Sequence, residues 1–176
     1  MDLDINQPIN YQCCSPDQLV SLLAFRAHWF GAMETLVGSV NGRDARHIKL
    51  TEEAWQAIHH GLHHKNPNVR FQCVQLMDHF GDDRIIEPVS QMLHDPVPRV
   101  RKQALHALTC EKCKTTPLCP LPGRVVDHFI ELARQDTNAG VRAAALAALG
   151  TLPESQRIVE ALPMISQKDL SQSSPS

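Results

Sequence analysis

The sequence predicts an all-α fold, a solenoid of about four antiparallel helical pairs, and three observations carry that expectation. Ala and Leu dominate the best-patterned stretches, and only 5 Phe, 2 Trp and 1 Tyr occur in 176 residues, which favours helix over strand. A Val-Arg pair followed by a helical apolar pattern occurs three times. After each copy comes a second motif, Arg, two β-branched residues and an acid, which opens another amphipathic helix.

Taken in order, residues 1–15 read as an N-terminal extension and residues 16–63 as a divergent first pair. A long helix from Asp17 to Val40 is expected to turn Leu19, Leu22, Leu23, Phe30, Met33 and Val37 toward the next unit. The polar stretch NGRDARHIK joins it to a helix from Thr51 to His63, with Trp55 and Ile58 opposite. Trp29 suits either this cap or a partner surface.

The next pairs span about 67–93, 97–134 and 138–165. Their first helices, VRFQCVQLM, VRKQALHAL and VRAAALAAL, superpose without a gap. Val69, Val100 and Val141 match, as do Arg70, Arg101 and Arg142, then Cys73, Ala104 and Ala145, then Val74, Leu105 and Leu146, then Met77, Leu108 and Leu149. Spacing i, i+4, i+5, i+8 lays the apolar members on one stripe. The second helices open with RIIE at Arg84, RVVD at Arg124 and RIVE at Arg157. From first-helix Val to second-helix Arg the separations are 15, 24 and 16 residues, so the third pair carries about nine extra residues between its helices, including CEKCKTTPLCPLPG. Asn66-Pro67, Asp95-Pro96 and Asp136 mark helix starts, and Gly81 and Gly150 helix ends. Residues 166–176 offer nothing to bury and read as a disordered tail.

These residues resemble HEAT repeats, including the HEAT-like units named after phycobilisome lyases. The resemblance rests on the [ND]-P, V-R-x-x-A-[LV] and R-[IV]-[IV]-[ED] signatures and covers about Leu62 to Ile165. It implies a right-handed stack of helical pairs whose second helices line a concave surface, and it is specific for fold rather than function. Two features depart from the pattern: Cys73 stands where a small Ala is usual, and the middle inter-helix loop is long.

Composition bounds the function classes. With 43% hydrophobic and 20% charged residues and a net charge of -2, the chain reads as a folded globular protein without the overall positive charge that nucleic-acid binding favours. Residues 99–124 form a local basic patch, six cations against Glu111, expected chiefly to meet acids of neighbouring helices. The longest apolar run, Ala143 to Leu149, has seven residues, far short of the ~20 of a membrane span. The opening MDLDINQPIN lacks the pattern of a secretory signal, which makes the cytoplasm the expected address and keeps thiols reduced.

The residues that suggest chemistry are His106, Cys110, Cys113 and Cys119, spaced H-x3-C-x2-C-x5-C. Cys-x-x-Cys lets one turn offer two thiolates to a tetrahedral zinc, and His106 lies one helical turn earlier, with His128 an alternative fourth ligand. One structural zinc, reduced packing thiols and a disulfide or redox pair stay open at this point. The loop lacks apolar residues to fix it, which a metal would supply. His59, His60, His63 and His64 have i, i+4 spacing but no HExxH, so a polar helix end is the expectation there. Cys73 reads as a buried inert thiol, the role of Cys13 and Cys14 stays open, and Arg70, Arg101 and Arg142 read as structural. No phosphate loop, nucleophile elbow or paired-carboxylate motif is present, so no catalytic residue is assigned.

The expected function is a protein-interaction or adaptor module, monomeric or weakly homo-oligomeric. Its partner sits on the concave face against Glu87, Asp127, His128, Glu131 and Glu160 of the second helices. The resemblance also admits a bilin-lyase-like enzyme or enzyme subunit, and the basic segment a nucleic-acid binder.

Overall fold

The computed structural model describes residues 5–37, 51–79, 83–114, 118, 120–153 and 158–160. The linker NGRDARHIK, Gly81, Cys119, Arg157 and the predicted tail lie outside the described residues. All regular structure among the described residues is helical, as the sequence predicts for a HEAT-like α-solenoid.

Helix α1 (Pro16–Leu22) starts at a reciprocal cap. The Ser15 hydroxyl accepts the Gln18 N–H at 3.3 Å, the Gln18 side chain accepts the Ser15 N–H at 2.9 Å, and Pro16 takes the first turn, where a missing N–H costs nothing. The single long helix expected from Asp17 does not form. The chain turns through Leu23–Phe25 with i to i+3 bonds and restarts as α2 (Arg26–Val37). A straight rod would carry Arg26 into the stripe of Leu19, Leu22 and Leu23; the bend lets those three and Val20 bury while Arg26 stays in water. α2 folds back on α1 through Ala32 and Leu36, and Phe30, expected in the core, is left 63% exposed. Ahead of α1, a 3-10 turn at Tyr11–Cys13 packs on α2, the Tyr11 ring resting on Gly31 where a Cβ would collide with it. The His28 Nε2–H donates to Ile5 O at 2.9 Å, leaving Nδ1 to accept the Tyr11 hydroxyl at 3.0 Å.

α3 (Glu52–Gly61), capped by Thr51, packs on α1 and buries Trp55 and Ile58. The repeating first helices follow as α4 (Pro67–Asp78), α6 (Pro98–Thr109) and α8 (Ala139–Thr151), with α4 against α6 and α6 against α8. Val69, Val100 and Val141 are fully shielded, as are Cys73, Ala104 and Ala145. Only Leu146, on the last helix, is half-buried where Val74 and Leu105 are covered. The second helices are α5 (Ile86–Gln91), flanked by 3-10 turns at Asp83–Ile85 and Met92–His94, and α7 (Gly123–Gln135). Pro88 falls in the first turn of α5, where no N–H is needed. Gly150 lies inside the last turn of α8 rather than beyond it.

The repeated arginines join the layers. Arg70 grips Asp95, at 2.6 Å from Nε and 3.0 Å from Nη2, and Arg101 grips Asp136 at 2.7 Å from both Nε and Nη2. Arg70 and Arg101 thus each bond the aspartate that introduces the next unit, and all three arginines turn Nη1 to a carbonyl of their own turn: His64, Asp95 and Asp136 for Arg70, Arg101 and Arg142. The two aspartates also accept the N–H of the helix-capping residue, Val97 and Asn138, at 2.8 Å. In register they match His64, whose Nδ1 accepts the Asn66 N–H at 3.0 Å, so Asn66 is a true cap and the aspartates stand two residues before one.

Candidate functional site

The helical stripe of α6 buries Val100, Ala104 and Leu108 and leaves His106 on the outer face, one turn before the helix ends at Cys110. There the Cys110 N–H bonds His106 O at 2.8 Å and the chain turns tightly, Lys114 N–H to Glu111 O at 3.3 Å. This turn brings the cysteines together: the Cys110 thiol donates to Cys113 Sγ at 3.1 Å, and His106 Nε2 lies 3.4 Å from Cys113 Sγ. His106, Cys110 and Cys113 therefore form a group whose ligand atoms lie within 4.8 Å of one another, close enough to hold a metal ion.

Three further residues build this corner, and no local spacing points to them. Asp78, at the end of α4, approaches His106 Nε2 at 3.2 Å and accepts from Lys114 Nζ at 3.0 Å. Lys114 is buried, and its ammonium also donates to Cys110 O at 2.8 Å. The neighbouring His79 Nδ1–H reaches Cys113 O at 3.3 Å. Burial pushes the Cys113 thiol up to about 12, helped by its bond with Cys110 and the charge of Asp78. The loop is not without apolar anchors, contrary to expectation. Leu118 and Leu121 pack against the core, and the Asp78–Lys114 pair ties the turn to α4.

Cys119 is outside the described residues. His128 stacks edge-on with His94, ring centres 4.6 Å apart, and is not among the group formed by His106, Cys110 and Cys113. The four clustered histidines diverge. His60 Nδ1 lies 3.8 Å from Asp17, His64 caps a turn, and only His59 and His63 meet edge-on. Burial, then the charges of His63 and His60, lowers the His59 pKa. Cys73 is sealed in the core and burial pushes its thiol up to about 12. Gly61 explains why a cysteine fits where alanine is usual, since a Cβ there would collide with Cys73 Sγ and with Val20. Cys13 is exposed and Cys14 half-buried, its thiol 3.6 Å from Asn10 O.

Glu87 on α5, Asp127 and Glu131 on α7, and Glu160 in the helical residues 158–160 are exposed, and His128 on α7 is half-buried. Glu87 is already engaged by Arg124 of the following unit, as Glu52 is by Arg84 at 3.3 Å. Of the basic segment, Arg101, Lys114 and Arg124 each meet an acid of a neighbouring unit, Asp136, Asp78 and Glu87. No helix among the described residues is long and apolar enough to cross a membrane.

The family comparison agrees with the helical-repeat architecture. Residues 52–116 match the family described as HEAT repeats. One similar solved structure is the crystal structure of an engineered protein, 15% identical, with a TM-score of 0.43, covering 86% of this chain and 68% of that one. No curated protein matches. The family match spans α3, α4, α5 and α6 with the cysteine turn, so this part of the chain is similar to HEAT repeats.

Proposed function

We propose that this chain is a protein-interaction scaffold. The observation that carries this reading is the repeat layer itself: α4, α6 and α8 are committed to one another, while the second helices leave Asp127, Glu131 and Glu160 exposed and turned away from the core. With Glu87 and His128 they make an acidic face on the concave side of the stack, suited to a basic partner. Glu87 also pairs with Arg124, which a partner displaces on binding there. The scaffold works in the cytoplasm as a monomer or weak homo-oligomer. Cross-linking mass spectrometry of the chain with bound partners tests this face. Cross-links concentrated on the second helices and lost in Asp127→Lys, Glu131→Lys support it; bound partners indifferent to those changes overturn it.

The cysteine turn supports a second, accessory role as a structural zinc clip. His106, Cys110 and Cys113 converge, and Cys119, six residues on, is the fourth ligand the spacing offers. Elemental analysis of untagged protein with free-thiol counting tests it. One equivalent of zinc with those thiols protected is the expected result, and metal-free protein with all six thiols reactive when denatured contradicts it.

A further inference from the structure

A groove of about 530 Å³ runs between the α1–α2 turn, α2, α4 and α6. Its aromatic members are Trp29, Phe30 and Phe71, and its charged members are Arg26 and Arg99, with no acid in the lining. Phe30 is 63% exposed and Phe25, in the α1–α2 turn, 37%, among the few large apolar side chains left in water among the described residues. Among the described residues neither guanidinium has a carboxylate partner; Arg99 lies over the Phe71 ring at 5.4 Å instead. Gln72 is spent on the Trp29 indole N–H at 2.9 Å, which fixes the ring, and leaves Asn68 and Gln75 as neutral amides facing the groove.

We infer that this groove docks an acidic peptide segment carrying an aromatic or aliphatic anchor. The anchor packs among Phe30, Trp29 and Phe71, the acids neutralise Arg26 and Arg99, and the amides serve the peptide backbone. Charge decides the occupant: a basic segment would bring like charges onto two unpaired guanidinium groups, and a purely apolar one would bury them without a counter-ion. The proposal rests on the interaction-scaffold reading but uses a different surface, on the side of the first helices, with the opposite charge preference.

The test pans a library of random twelve-residue peptides displayed on phage against the immobilised full chain, then titrates the enriched peptides by Trp fluorescence. The expected peptides combine Asp or Glu with Phe, Trp or Leu, and lose about tenfold or more in affinity on Phe30→Ser and on the Arg26→Glu, Arg99→Glu pair. Both variants change exposed side chains, and a circular-dichroism melt matched to wild type confirms their folding. No enrichment, enrichment of basic peptides, or binding unaffected by these variants overturns the inference. A self-association that Phe30→Ser abolishes also overturns it, since a second copy then fills the groove. Peptides that bind through Asp127 and Glu131 instead overturn the groove and leave the scaffold reading standing.

Discussion

Arg101 of α6 holds Asp136, the residue that introduces the next unit, through two parallel 2.7 Å bonds, while its third bond returns to the carbonyl of Asp95 in its own turn. The side chains are 10% and 3% exposed. Such a bidentate contact depends on the planar fork of arginine. Arg101→Lys therefore keeps the charge but loses the fork, and is expected to cost about 2 kcal/mol in urea unfolding; Arg101→Ala, which strands Asp136, about 3 kcal/mol or more. Equal stability of the lysine variant and wild type would contradict this.

Asp136 also sets a pH response. Burial alone would raise its carboxyl, but the bonds from Arg101 and the Asn138 N–H, with the charges of Arg101 and Arg142, hold it below the usual carboxylate range. A lowered folded value means the stabilisation is complete above the unfolded pKa of about 3.9 and is lost as pH falls through the folded value. Unfolding free energy measured between about pH 6 and pH 3 should drop more steeply for wild type than for Asp136→Asn.

The thiols should divide sharply. Cys73, with its thiol raised to about 12 by burial, is expected to resist a disulfide reagent at pH 8 until the chain unfolds, while exposed Cys13 reacts at once. Mass-spectrometric mapping of the modified cysteines in native and denatured protein checks the order. Early modification of Cys73 would place it outside the core.

The Gly61–Cys73 contact predicts a compensating pair. Gly61→Ala pushes a methyl against Cys73 Sγ and Val20, and should destabilise by about 1–3 kcal/mol. Adding Cys73→Ala removes one of the two collisions, so the double variant should recover part of the loss in a thermal melt. Full additivity of the two losses would show that the residues do not share this space.

The repeat was legible because its signal is redundant. Val69, Val100 and Val141 recur with their neighbours in one register, and every one of them is fully buried. The divergent first pair had no second copy to calibrate it, and composition alone could not reveal the bend at Leu23–Phe25 that moved Phe30 to the surface. At the cysteine turn, His106, Cys110 and Cys113 are local in sequence and their convergence followed from helix geometry. Asp78 and Lys114 stand 36 residues apart, and only the packing of α4 on α6 brings them together. The arginines looked structural from their repetition, yet their reach into the following unit rather than their own could be decided only in three dimensions.

A double-mutant cycle across consecutive units tests the stacked-repeat account most directly. Urea unfolding of wild type, Arg101→Ala, Asp136→Ala and the double variant should yield a coupling of about 2 kcal/mol or more, the double costing far less than the two single losses combined. Strictly additive losses would mean that these side chains do not meet, and that the units are not joined through the arginine ladder.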